Sequence, residues 1–136
     1  MTLLDYPDRV ASTIFLGGCN FRCPFCHNPE LLDNSTDDIE NEFIFSEIEK
    51  RRNFIEGICI TGGEPLISDE IIDFIKEIKK TGNKPIKIDT NGYNPELLKR
   101  VMESGDVEYI AMDVKSSAKK YFIAAGVPID EERIKT

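Results

Sequence analysis

The chain has 136 residues, a length that holds one domain, and a formal net charge of −8 at pH 7. That acidity excludes an electrostatic grip on nucleic-acid phosphates or on anionic lipid as the basis of its function. No apolar run approaches the roughly 20 residues a membrane span needs. Leu3-Leu4 is followed at once by Asp5, so no signal peptide is read and a cytoplasmic location is expected. In a reducing cytosol, clustered cysteines are expected to bind metal or serve redox chemistry rather than form disulfides.

Val10 to Leu16 is a short β-branched and aromatic run closed by Gly17-Gly18, and reads as a buried strand. Asp33 to Glu42 is polar and reads as a surface loop. Ser46-Glu47-Ile48-Glu49 fits a capping box, in which the serine oxygen and the Glu49 carboxylate each cover a free amide. It predicts a helix from about Ser46 to Ile55, with Ile48 and Ile55 inward. Gly57 to Thr61 reads as the second strand, and Gly62-Gly63-Glu64-Pro65 leaves its end. Ser68 suits an N-cap; Ile71, Ile72, Ile75 and Ile78 recur at helical spacing, and Gly82 supplies a stop. Pro85 to Asp89 reads as the third strand, ending in Thr90-Asn91-Gly92. Asn94-Pro95 opens a third helix with Leu97, Leu98, Val101 and Met102 inward and Gly105 at its end. Tyr109 to Asp113 reads as the fourth strand, and Ser117 to Ala125 as a weaker helix closed by Gly126.

Strand and helix thus alternate four times. The pattern predicts an α/β protein with a parallel sheet covered by helices and right-handed crossovers. Periodicity leaves two forms open: a doubly wound sheet, or part of a barrel.

The residues able to do chemistry all follow strands. Cys19, Cys23 and Cys26 follow the first, and Gly62 to Pro65 the second. Asp89, Thr90 and Asn91 end the third; Asp113 ends the fourth, with Lys115 two residues on. In a parallel sheet these ends share one face, where ligands bind. A loop with three thiolates so close can point them at one centre. Soft thiolates select zinc, copper(I) or iron–sulfur clusters, and three ligands leave one metal position open. Cys59 as a fourth ligand would close that centre into a zinc or electron-transfer site; as a mid-strand residue it reads as a small buried hydrophobe. Gly62-Gly63 lets backbone approach a ligand closely. Asp113 and Lys115 share one side if the chain stays extended. His27 reads as a proton shuttle, a ligand or a loop residue bonded to backbone. Tyr6 and Phe21 read as packing residues.

Cys19-x-x-x-Cys23-x-x-Cys26 resembles the signature of the radical S-adenosylmethionine (SAM) enzymes. With His27-Asn28 after it and Leu4-Asp5-Tyr6-Pro7 before it, the run is most similar to single-domain activating enzymes of glycyl-radical enzymes, of the anaerobic ribonucleotide reductase or pyruvate formate-lyase type. The resemblance implies a partial (β/α) barrel, of which this chain matches the first four of six β-α units; residues 1–136 then form a single radical SAM domain that reads as truncated on its C-terminal side. It implies a 4Fe–4S cluster held by Cys19, Cys23 and Cys26 with one open iron, and SAM bound there. Phe25 would lie against the adenine, Gly62, Gly63, Glu64 and Pro65 would hold the amino end, and Asp113 and Lys115 would contact the methionine end. Asp89, Thr90 and Asp113 would bind a monovalent cation. No side-chain acid or base is assigned, because the chemistry lies at the cluster and SAM.

The implied reaction is oxidoreductive and anaerobic. SAM is reductively cleaved to methionine and a 5′-deoxyadenosyl radical, which abstracts hydrogen from a glycine of a partner enzyme. A flavodoxin or ferredoxin type of low-potential donor would supply the electron. With four cysteines in all and no room from His27 to Glu56 for a ferredoxin-like insert, the multi-cluster activating enzymes are excluded. Two alternatives stand: a radical SAM enzyme acting on a small molecule, and a non-catalytic four-cysteine metal or electron-transfer module. One departure from the family is Asp8, which follows Tyr6-Pro7 where relatives commonly have glycine and reads as a local turn change.

Overall fold

A computed structural model of the chain describes residues 1–33 and 37–135. In chain order the elements are β1 (Ala11–Leu16), α1 (Asn41–Arg51), β2 (Gly57–Gly62), α2 (Glu70–Gly82), β3 (Ile86–Thr90), α3 (Pro95–Ser104), β4 (Tyr109–Met112), α4 (Tyr121–Ala125) and α5 (Glu131–Lys135). Single 3-10 turns cover Pro29–Leu31, Pro65–Ile67 and Ala118–Lys120.

The strands lie in the order β1-β2-β3-β4, and every neighbouring pair is parallel. Each crossover therefore steps the same way across the sheet. Right-handed crossovers in one direction put their helices on one face. A doubly wound sheet would reverse direction partway, so the observed order is that of a partial barrel. The β-branched residues of the strands supply the core: Ile58, Ile60, Ile86 and Ile88 pack against Ile48 of α1, Ile71, Ile75 and Ile78 of α2, and Leu97 and Val101 of α3. Side chains alternate along a strand, so Cys59, Thr61, Lys87 and Asp89 occupy the opposite, concave face.

Several expectations are corrected. β1 is an edge strand rather than a buried one: Ala11 alone is fully buried, and Phe15 is 55% exposed. The capping box at Ser46 does not form, because α1 starts five residues earlier at Asn41. Ser46 sits inside the helix, where its hydroxyl donates to the Phe43 carbonyl at 2.8 Å. The extra turn lets Phe45 pack on Phe74 of α2, with ring centroids 5.9 Å apart, so tertiary packing overrides the local cap. Ile55 is buried beyond the helix end. The loop expected over Asp33 to Glu42 is therefore shorter, and its Asn34, Ser35 and Thr36 lie outside the described residues.

At the start of helix α2 the Ser68 hydroxyl accepts from the Glu70 amide at 3.4 Å, as expected of a cap, and the helix ends on Asn83 in the left-handed region (φ 45°) rather than on Gly82. α3 starts as expected, with Asn94 Oδ1 accepting from the Leu97 amide at 3.2 Å, and stops at Gly105. Met102, expected inward, is 61% exposed, because the buried stripe is Leu97 and Val101, one turn apart. α5 is too short to show a period in sequence; its Ile134 packs on a second cluster built on Phe21, Tyr121 and Ala125. Asp8 has φ 59°, a conformation that glycine adopts freely, so a local turn stands there as expected.

The tips of β1 and β2 are laced together. The Gly63 amide donates to the Leu16 carbonyl and the Glu64 amide to the Gly18 carbonyl, each at 2.8 Å. A Cβ on Gly63 would overlap the Gly18 carbonyl oxygen. Gly63→Ala is expected to lower stability by about 1–3 kcal/mol, through overpacking at this crossing, in urea unfolding. Ile88→Ala is expected to cost about 2–5 kcal/mol and Met102→Ala no more than about 0.5 kcal/mol in the same measurement. Equal losses would refute the one-sided helix packing.

Candidate active site

The cysteine loop leaves β1 through Gly17-Gly18 and is pinned at its middle. Phe21 is buried against Tyr93 and Tyr121, with ring centroids 5.4 and 6.2 Å away. The Arg22 amide donates to the Ala125 carbonyl at 2.7 Å, and its guanidinium donates to the carbonyls of Cys19 (2.6 Å) and Phe21 (2.7 Å). The Cys26 amide donates to the Cys23 carbonyl at 3.0 Å, a tight turn between those two cysteines. Cys19 Sγ accepts from the Phe21 amide at 3.3 Å. Phe21 and Tyr6 are packing residues, as read from sequence.

The loop walls one side of a cavity of about 320 Å³ at the C-terminal tips of the strands. Cys19, Cys23 and Cys26 line it together with Gly62, Gly63, Glu64, Asp89, Thr90, Asp113 and Lys115. Phe25 is at the cavity and 56% exposed, an aromatic face open to a ligand. Pro65 does not line it; it is buried and opens the turn Pro65–Ile67. Asn91, Asn28 and Thr61 also line the cavity. Asn91 Nδ2 donates to Asn20 Oδ1 at 2.8 Å, tying the cysteine loop to the tip of β3. A neutral amide in a turn-forming Asn-Gly pair carried no signal of this beyond its place in the Asp-Thr-Asn-Gly run.

Glu64 lines the cavity and is also bonded from within. Its carboxylate is only 2% exposed and accepts from the Leu66 amide (2.9 Å), the Thr90 hydroxyl (2.5 Å) and the Asn91 amide (2.7 Å). Burial pushes this carboxyl up, and those three donors hold it back. The side chain braces the tips of β2 and β3 at the cavity wall.

Among the described residues, no three His, Cys, Asp or Glu side chains converge on a single metal ion. Three thiols lining one cavity are a donor set that a multi-metal cluster accepts, each iron taking one thiolate. Burial pushes the Cys19 and Cys23 thiols up; the Phe21 amide opposes this at Cys19, and the Lys115 ammonium opposes it at Cys23. A bound metal would hold them as thiolates.

Cys59 is not at the cavity. It is fully buried in β2, and its Sγ donates to Asp89 Oδ2 at 3.5 Å. Burial, then the Asp89 charge, pushes its thiol up to about 12. It stays protonated at neutral pH and apart from the other three, so the four-cysteine centre is not formed.

Lys115 Nζ pairs with Asp113 Oδ2 at 2.9 Å. Burial works against its ammonium, but Asp113 outweighs that and holds it above the usual lysine value. Deeper on the concave face, Lys87 Nζ lies 2.5 Å from Asp89 Oδ1. There too burial opposes the charge and the Asp89 carboxylate more than restores it.

The chain is 35% identical over 135 residues to a Methanocaldococcus jannaschii protein provisionally named a glycyl-radical enzyme activating enzyme, covering 99% of this chain and 55% of that one. It is 33% identical over 128 residues to the pyruvate formate-lyase-activating enzyme of Listeria monocytogenes, covering 85% of this chain and 50% of that enzyme. It is also 35% identical over 86 residues to the 7-carboxy-7-deazaguanine synthase of Methanospirillum hungatei, covering 61% of this chain and 35% of that enzyme. The chain thus spans about half the length of the first two relatives or less of the third. The profile of the radical SAM superfamily matches residues 13–135. That match begins inside β1 and runs into α5, taking in the strand tips and the cysteine loop, and the chain belongs to the radical SAM superfamily.

Proposed function

We propose that this chain carries the cofactor-binding part of a glycyl-radical enzyme activating enzyme. The observation that carries the reading is the cavity at the strand tips, where the three loop cysteines face the Gly62-Gly63 turn and the Asp113–Lys115 pair. Family membership implies a 4Fe–4S cluster and SAM. Bound there, the reduced cluster would supply the one electron that cleaves SAM reductively, the chemistry proposed to start hydrogen abstraction from a partner's glycine. A flavodoxin or ferredoxin type of protein is the proposed electron donor.

The chain's own residues divide the work. Cys19, Cys23 and Cys26 would hold three irons and leave one open to SAM. Lys115, drawn upward by Asp113, offers a cation to the SAM carboxylate. An ammonium group needs acceptors. The turn offers its carbonyl oxygens and the remaining lone pair of Glu64 Oε2, which accepts only from the Asn91 amide. Phe25, exposed at the cavity, is suited to stack on the adenine. The buried Phe21 anchor keeps the loop in register and water out from below.

The name of the deazaguanine synthase relative supports a second reading, a radical enzyme acting on a small molecule. The two differ in partner dependence: methionine and 5′-deoxyadenosine formed only with a glycyl-radical enzyme favour the first, and formation without one favours the second.

Anaerobic reconstitution followed by electron paramagnetic resonance is the first test. A reduced 4Fe–4S signal that changes shape on adding SAM is expected; zinc in place of iron would sink the proposal. Cys19→Ser, Cys23→Ser and Cys26→Ser are each expected to lose most of the cluster iron, while Cys59→Ala retains it. Loss of iron in Cys59→Ala at unchanged fold would restore the four-thiolate centre.

A further inference from the structure

The resemblance implies a monovalent cation on Asp89, Thr90 and Asp113, and the residues do not fit one. Asp89 and Thr90 are consecutive in β3, so their side chains leave on opposite faces. The Thr90 hydroxyl donates to Glu64 Oε1 at 2.5 Å and accepts from the Gly92 amide at 3.1 Å. Asp113 is engaged with Lys115 at 2.9 Å. Asp89 Oδ1 is buried and has no aligned hydrogen-bond donor, which is the mark of an oxygen awaiting a cation. A cation is already there: Lys87 Nζ stands 2.5 Å away, two residues back on the same strand and the same face. An ammonium has the charge of a potassium ion and nearly its size. A free alkali ion on Oδ1 would have to share its place with Nζ, at a Coulombic penalty that burial enlarges.

The surroundings fit a fixed charge. The Lys87 side chain is 10% exposed, against 33% for Asp89. Its ammonium lies 3.9 Å from Cys59 Sγ and 6.0 Å from the centroid of the Tyr109 ring. Asp5, whose Oδ2 accepts from Thr13 Oγ1 at 2.7 Å, adds a second negative charge on this face. The lysine reaches Asp89 from beneath the sheet tips and does not line the cavity, whereas Asp89 does.

We infer that Lys87 is a built-in counter-cation for Asp89, which makes the strand-tip cavity independent of sodium and potassium. The consequence for SAM rests on the function proposed above; the cation occupancy does not. Two measurements keep them apart. In ²³Na nuclear magnetic resonance of the full chain without cluster, the line width is expected to rise linearly with protein, with no saturable component displaced by potassium. In the reconstituted protein, SAM affinity is expected to change less than about twofold between tetramethylammonium, sodium and potassium chlorides at matched ionic strength. Lys87→Met, which leaves Asp89 without a counter-charge, is expected to gain a saturable sodium signal and to lose SAM affinity by about tenfold in tetramethylammonium, with recovery in potassium. Lys87→Met/Asp89→Asn removes both charges and is expected to stay silent to sodium. A saturable sodium site in the unaltered chain overturns the inference whatever the variants do. SAM binding that needs sodium or potassium in the unaltered protein overturns it equally. Absence of SAM binding in every salt refutes the proposed function while the sodium line width still decides the occupancy of Asp89.

Discussion

The Glu64 carboxylate holds the strand tips in place. It is a buried charge, and a buried carboxylate is tolerated only when its lone pairs are satisfied. The Leu66 amide, the Thr90 hydroxyl and the Asn91 amide do so, and the Glu64 amide itself reaches back to Gly18. One residue thereby joins the ends of β1, β2 and β3. Asn91, held in this way, bonds Asn20 in the cysteine loop, so the position of the thiols depends on the same brace. A charge-assisted set of this kind is stronger than neutral hydrogen bonds and fixes direction as well as distance.

The two faces of the sheet do different work. Toward the helices the strands present isoleucine after isoleucine, and the interlocking of those branched side chains supplies the stability. Toward the concave face they present Cys59, Thr61, Lys87 and Asp89. Buried ion pairs contribute little net stability because desolvation offsets attraction. The Lys87–Asp89 pair is therefore better understood as setting the electrostatics beneath the cavity than as holding the fold. The same division explains why Lys115 and Asp113 lie at the tips: their charge is used where a ligand would sit, not where the core is packed.

The C-terminal segment is part of the site's construction. Tyr121 and Ala125 of α4, with Phe21, form a small cluster apart from the main core. Gly126 approaches the loop so closely that a Cβ there would overlap the Arg22 carbonyl. The Tyr121 hydroxyl donates to the Asp113 carbonyl at 3.2 Å and accepts from the Lys115 amide at 3.3 Å. The loop after β4 and the loop after β1 are thus held by one short helix, which sets the distance between the thiols and the lysine.

Much of this was legible in the residues themselves. Strand–helix alternation, the helical spacing of Ile71, Ile75 and Ile78, and the Asn94 cap each arise from local rules, and they defined the parallel α/β class. The spacing of Cys19, Cys23 and Cys26, with Gly62-Gly63 and Asp113-Val114-Lys115, marked one end of the sheet as chemical, because every such residue follows a strand. Strand order, the true start of α1, the exposure of Met102 and the edge position of β1 came only with tertiary packing, since each depends on what lies across the contact rather than along the chain. So did the roles of Glu64 and Lys87. Sequence marks Glu64 as an acid near a site and places Lys87 in a strand without a role. Only the fold decides that one is enclosed by three donors and the other faces a carboxylate, because partners far apart in the chain determine what a charged group is free to do.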